Sequence, residues 1–430
     1  MGLIHAIFIV VASMLGTGIL TTTGLMAARL GGAYEILTVW VLGALLALTG
    51  AVCYGAIIKR KPVSGGEATL IAAFYYPSWG YLTAILSFLV GFAASNAAAS
   101  MALAAYFMTG ASLAEFQVAG IGISKFLAIA AIVLMTLVHA QIKAHSMRIQ
   151  TLLAFLKFML LLGVAVYGFL HIDWQAGPLA TASWQGASLD GWTLCLLFSV
   201  FTYSGWNAAI YSASEFHQPA RTVPLAMLAG SGIVVALYLL LNVAILGNLP
   251  SAEISGVEAV VARLVEQLFG AETSRLFALL IAIVLLSSIG VSSFAGPRVL
   301  HSIMVARRAE TDAASATGAV PAKLLWAQAG ASILLVMTGS FEQVMSLMGV
   351  FLGIAPVLTV LGIYRRKASS EAEYPPFVRY VAAPLFIGFS SVIIMISLLG
   401  NQDAINFVFG LFVVSFSLMV LEARGLVRVR

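Results

Sequence analysis

The amino-acid sequence predicts an all-α polytopic membrane protein of about twelve transmembrane helices, two of them broken at mid-membrane. Three observations predict it. Hydrophobic residues make up 61% of the chain and charged residues only 9%, against about 25% charged in soluble domains; mean hydropathy is +1.03. The apolar runs are about 20 residues long and unbroken, which excludes the shorter alternating segments of a membrane β-barrel. The first and sixth runs carry glycine and small polar residues at their centres, the pattern of a transporter built from inverted repeats.

The first span runs from about Leu3 to Ala28 and contains Ser13-Met14-Leu15-Gly16-Thr17-Gly18-Ile19 at its middle. Glycine costs a helix about 1 kcal/mol relative to alanine and lets the backbone leave helical geometry. A break there frees N–H groups that lipid cannot satisfy. A bound carboxylate at the positive end of the second half-helix would satisfy them. Close helix packing against small residues is the plainer account of the same pattern.

The second span covers Leu37–Ile58 and stops at Lys59-Arg60-Lys61-Pro62. Spans three to five follow at about Leu82–Thr109, Ser124–Ala140 and Thr151–Leu170. Span six, Trp192–Ala213, is the second interrupted one, reading Phe201-Thr202-Tyr203-Ser204-Gly205-Trp206-Asn207 at its middle. Span seven covers Pro224–Leu246, and the polar stretch Ser251–Thr273 contains an amphipathic portion, Val257–Leu268, expected to lie on the surface. The remaining spans are expected at Leu276–Met304, Leu324–Met337, Val344–Tyr364, Ala382–Leu399 and Ile405–Leu421. Equivalence of spans one and six implies two five-span repeats, residues 1–170 and 171–370, with 371–430 outside them.

Loop charge predicts the orientation. On this layout sixteen of the 22 Lys and Arg residues fall on one side, from Lys59 through Arg221 and Arg308 to Arg430. The other side carries only Arg29, Arg263 and Arg275. The positive-inside rule therefore places both termini in the cytoplasm, and a plasma (inner) membrane location is expected. The net charge of +5 reflects this topology; short juxtamembrane clusters do not suggest nucleic-acid binding. Cys53 and Cys195 both fall inside spans, so there is no disulfide framework. His5, His139, His145 and His301 form no metal-ligand pair with a carboxylate, no nucleotide-binding loop is present, and no cofactor is expected. A channel would call for rings of like charge or a carbonyl filter. An enzyme would call for an intramembrane acid–base cluster that these spans lack.

Four motifs in chain order now bear on family. They are Gly16-Thr17-Gly18-Ile19; Pro62-Val63-Ser64-Gly65-Gly66-Glu67; Tyr203-Ser204-Gly205-Trp206-Asn207 continuing through Glu215, Pro219, Arg221 and Pro224; and Gly296-Pro297-Arg298-Val299. In them the chain resembles the amino acid–polyamine–organocation (APC) superfamily, and within it bacterial amino acid permeases and the L-type (LAT) branch. The resemblance implies a LeuT-like five-plus-five fold, no enzymatic activity and an amino-acid substrate. Eukaryotic members of that branch bridge to a single-span heavy chain through a cysteine between spans three and four. The loop Gly110–Gly122 has none, so no disulfide-linked partner is expected.

The resemblance also assigns site residues. The substrate carboxylate would meet the backbone of Gly16, Thr17 and Gly18, beside Ile19 and with help from the Thr17 hydroxyl. The ammonium would meet the carbonyls of Met14, Phe201 and Ser204, next to Gly205. Phe201 sits where the family places an aromatic that closes over the substrate, and Glu215 reads as a gate or loop anchor on the cytoplasmic side. Asn96 either lines the pocket or makes a helix–helix hydrogen bond. Lys157 lies about 13 Å along the helix from Arg148, a depth at which an intramembrane lysine reads as functional. It matches the lysine that replaces sodium in sodium-independent relatives, and is expected to bond carbonyls near Leu15 and the hydroxyl of Ser287. The implied function is sodium-independent transport of neutral L-amino acids by exchange or proton symport. Cationic amino acids or polyamines, and a non-transporting sensor of the same fold, are the alternatives.

Overall fold

The computed structural model describes residues 2–63, 65–109, 117–118, 121–141, 146–309, 321–365, 374–400, 413 and 416. The first span is two helices, α1 (Leu3–Met14) and α2 (Gly18–Leu30), followed by the long α3 (Ala33–Arg60) and a short α4 (Gly66–Phe74). The third span is α5 (Pro77–Leu86) and α6 (Ala93–Phe107) joined by a π-helical stretch, Ser87–Phe92. A two-residue hairpin, β1 (Gln117–Val118) with β2 (Ile121–Gly122), precedes α7 (Ile123–Gln141) and α8 (Ser146–Leu170). Next come α9 (Leu189–Thr202), a 3-10 helix (Ala208–Glu215), α10 (Pro219–Asn248), α11 (Ser251–Ile254) and α12 (Val260–Phe269). The described chain ends with α13 (Ala271–Ala309), α14 (Ala322–Thr338), α15 (Phe341–Leu361) and α16 (Ala383–Gly400).

Among the described residues nine helices are long and apolar enough to cross a membrane, and α9 and α14 are shorter apolar helices. The chain is an all-α polytopic membrane protein. The twelfth span expected at Ile405–Leu421 lies outside the described residues, apart from isolated positions.

Local chemistry sets the helix starts. Ser188 caps α9 by accepting from the Gly191 N–H at 3.1 Å, and Ser340 with Gln343 makes a reciprocal capping box on α15. Proline opens α5 and α10, where its missing N–H costs nothing. The two glycines of the Pro62–Glu67 motif have φ of +102° at Gly65 and +74° at Gly66, and a Cβ on Gly66 would overlap the Tyr211 ring. Only glycine turns the chain there and lets α4 lie against the 3-10 helix.

Helix α10 packs along α1, α3 and α8, and α13 along α6, forming the centre of the bundle. One surface expectation is corrected. Helix α12 is amphipathic but does not lie free: Val260, Val261, Leu264 and Val265 are buried against neighbouring helices. Its apolar stripe faces protein because α2, α8 and α10 offer it an apolar bed.

Candidate functional site

The first span breaks in a defined way. Leu15 (φ −70°, ψ 63°) is the centre of an inverse γ-turn, closed by the Gly16 N–H on the Met14 carbonyl at 2.6 Å. Helix α2 then starts at Gly18 with Thr17 at its N-cap position, and the Thr17 side chain makes no capping bond. Among the described residues the N–H groups of Thr17, Gly18 and Ile19 have no acceptor within the protein. Three donors without partners at the positive end of a helix of 13 residues are chemically suited to an anion. A pocket of about 80 Å³ lies against it, lined by Gly16, Thr17 and Gly18 on one side and Phe201, Thr202 and Ser204 on the other.

The sixth span breaks opposite. Helix α9 ends at Thr202; Tyr203 N–H bonds Ser199 O at 2.9 Å and Ser204 N–H bonds Phe201 O at 3.0 Å. Gly205, at φ +95°, turns the chain so closely that a Cβ would meet the Ser13 carbonyl at 2.7 Å. The two breaks therefore touch. Gly18 packs on Thr202 in the same manner, its missing Cβ leaving room for the Thr202 side chain.

Lys157 on α8 is 1% exposed and donates to Ser288 Oγ on α13 at 2.7 Å. The expected partner, Ser287, is corrected. Its hydroxyl donates to the Val284 carbonyl of its own helix at 2.6 Å, and its neighbour points to the lysine instead. Among the described residues Lys157 makes no hydrogen bond to the Leu15 carbonyl; Leu15 is a buried wall of the small pocket. Asn96 is also corrected. Its Nδ2 donates to Ser293 Oγ at 3.0 Å across α6 and α13, and it does not line the pocket. The helix–helix alternative is the observed one.

Of the three carbonyls expected to receive the ammonium, Met14 already accepts from Gly16 N–H and from Tyr238 OH on α10, each at 2.6 Å. Phe201 accepts from Ser204. The Ser204 carbonyl accepts no backbone hydrogen bond among the described residues and remains open. Tyr238 is a pinning residue that the sequence reading missed, since nothing local marks a tyrosine 224 residues from its partner.

A second, larger cavity of about 1510 Å³ shares Ser13, Ser95 and Ser204 as walls with the small pocket and reaches the face of the protein that carries Ile4 and Tyr76. Ile4 is 83% and Tyr76 61% exposed there. Glu67, Glu215 and Arg298 are among its lining residues. Glu67 was also missed as a site residue. It is buried, and its Oε1 accepts from Tyr54 OH at 2.8 Å and from Asn207 Nδ2 at 2.7 Å. Burial pushes this carboxyl up to about 7, opposed by those two hydrogen bonds.

The opposite face is shut. Arg29 on α2 pairs with Glu342 on α15, Gln185 N–H bonds the buried Glu35, and Gly256 N–H bonds Gly24 O at 2.9 Å. Gly24 lies so close under residue 257 that a Cβ would overlap the Val257 carbonyl.

Comparison with known proteins agrees with this architecture. A family model described as amino acid permease matches residues 1–422. The serine/threonine exchanger SteT of Bacillus subtilis is 27% identical over 59% of this chain and 56% of its own length. The Asc-type amino acid transporter 1 of Mus musculus is 26% identical over 63% of this chain and 51% of its own. The b(0,+)-type amino acid transporter 1 of Homo sapiens is 26% identical over 60% and 53%. The chain spans a little over half the length of the curated relatives it matches. These relatives are transporters and exchangers, not enzymes. The chain belongs to the amino acid permease family.

Proposed function

We propose that this chain is a sodium-independent secondary transporter of small neutral L-amino acids, working by alternating access as an exchanger or a proton symporter. The single observation that carries the reading is the set of N–H groups at Thr17, Gly18 and Ile19 without a protein acceptor, at the edge of a pocket whose walls, among the described residues, hold no acidic side chain. The donors suit a carboxylate. The open Ser204 carbonyl suits an ammonium. The lack of an acid speaks against a cationic side chain or a polyamine, whose second charge would be buried unpaired.

Size narrows the substrate. A pocket of about 80 Å³ is small beside the roughly 300–1,000 Å³ of sites for drug-sized ligands. It suits the short side chains of alanine, serine and threonine better than that of phenylalanine. The name of the serine/threonine exchanger points the same way.

With the positive-inside orientation, the cavity at the Ile4 face opens to the cytoplasm of a cell whose inner membrane holds this protein, and the Arg29–Glu342 face is external. The inverted-repeat organisation, 1–170 against 171–370, belongs to the same reading, as does function without a disulfide-linked heavy chain. Sodium independence rests on Lys157, whose buried ammonium sits between the span-five and span-eight helices. Competition for labelled alanine uptake tests substrate class. Serine, threonine and alanine are expected to compete strongly, and arginine, glutamate and putrescine weakly; arginine outcompeting every neutral amino acid would contradict the reading.

A further inference from the structure

The Lys157 site does not use the acid in the wall of the larger cavity. Glu67 stands in the first turn of α4, a helix between spans two and three, and is 7% exposed. Two donors from two different elements converge on one of its oxygens. Tyr54 comes from α3, and Asn207 from the unwound link between α9 and the 3-10 helix. A carboxylate enclosed this way normally has a cation for company. The groups facing this one are otherwise. The 3-10 helix brings the Tyr211 phenol and, in the same cavity wall, Glu215. Helix α5 brings Tyr81 to the cavity wall. Arg298 on α13 is engaged on its own helix, stacked 3.2 Å over the Phe294 ring and donating to Phe294 O at 2.6 Å. The acid of α15, Glu342, pairs with Arg29 at the opposite face.

We propose that Glu67 is a proton-binding site of this protein: as a carboxylate it ties α4 to the unwound link of span six through Asn207, and a proton from the cavity loosens that tie. Both donors use Oε1, so Oε2 takes the proton without displacing either of them. What changes is bond strength. Hydrogen bonds to a carboxylate are roughly twice as strong as those to a neutral acid. The link they restrain is the same one whose Ser204 lines the small pocket and whose Gly205 packs on Ser13 of the first span, so the proton and the substrate act on one segment. Burial without a cation favours the neutral form, consistent with a carboxyl pushed up to about 7. The consequence for exchange rests on the carrier reading above; the existence of the site does not.

Two measurements on purified, full-length protein keep these apart. The infrared carboxylic-acid C=O band of the wild type is expected to grow as pH falls from 8 to 6, to be absent in Glu67→Gln, and to shift its midpoint to higher pH in Tyr54→Phe, which removes a donor to the charged form. A band that survives Glu67→Gln, or a midpoint unmoved by Tyr54→Phe, overturns the site. In proteoliposomes the wild-type exchange of alanine is expected to rise by up to about tenfold from pH 8 to 6, the ratio of protonated fractions for a midpoint near 7. Glu67→Gln, which keeps the acceptor oxygen but no charge, is expected to run flat at the acid-side rate. A Glu67→Gln profile that still follows pH overturns the coupling. An intact infrared titration in a protein that moves no amino acid at any pH overturns the carrier reading and leaves the proton site standing.

Discussion

Replacing Gly18 with leucine is expected to abolish amino-acid binding, weakening it by about 100-fold or more, equivalent to about 2.7 kcal/mol. The reason is steric before it is electrostatic. A Cβ at this position would stand 2.2 Å from Thr202 Oγ1 and 2.8 Å from Thr202 Cα. Rotating the threonine does not relieve a clash with its own backbone, so α2 must move off α9. The N–H groups of Thr17, Gly18 and Ile19 then lose their place at the pocket edge. The packing of α10 on α1, α3 and α8 and of α13 on α6 does not include that contact, and the variant is expected to elute as a monodisperse, folded protein. Ligand-induced thermal stabilisation by alanine reads the loss. Wild-type affinity in this variant would show that the start of α2 is not the carboxylate seat.

Loss of the Lys157 ammonium is the second large effect. Lys157→Ala removes a buried cation and its bond to Ser288, and leaves a void between α8 and α13. Exchange is expected to fall by about two orders of magnitude, from the combined loss of packing and of the charge that links the helices. Wild-type uptake is expected to be indifferent to an imposed sodium gradient, since the ammonium already supplies the charge an ion would bring. Stimulation of the wild type by inward sodium, or full exchange by Lys157→Ala, would refute this role.

Much of this molecule is written in local pattern. Twenty-residue apolar runs can only be spans, and glycines at the middle of the first and sixth can be read without coordinates because a break needs residues that tolerate it. The burial of Lys157 was legible for the same reason: its distance from the nearest charged loop is a matter of counting. What could not be read is which side chains meet. Ser287 and Ser288 are adjacent in sequence but about 100° apart around a helix, so an error of one residue swaps an intrahelical bond for the lysine's partner. Asn96 sits in a run of alanines and serines that fits a pocket wall and a helix interface equally well; only the position of Ser293 decides. Glu67 gathers Tyr54 and Asn207 from 13 and 140 residues away. Its one available signal was an acid placed directly after two glycines and just before the apolar run Leu70–Phe74. Helix α12 was misread because amphipathicity states that one face is covered and leaves open by what.

The central claim is that backbone N–H groups of a broken first span hold a substrate carboxylate. It is tested most directly by comparing serine with ethanolamine, which is serine without that group. Proteoliposomes loaded with unlabelled serine are expected to accumulate labelled serine by counterflow, saturably, and ethanolamine at a hundredfold excess over serine is expected to leave that uptake unchanged. Ethanolamine that inhibits or is itself exchanged as well as serine would mean the carboxylate is not what the first span recognises, and the account of this site would fail.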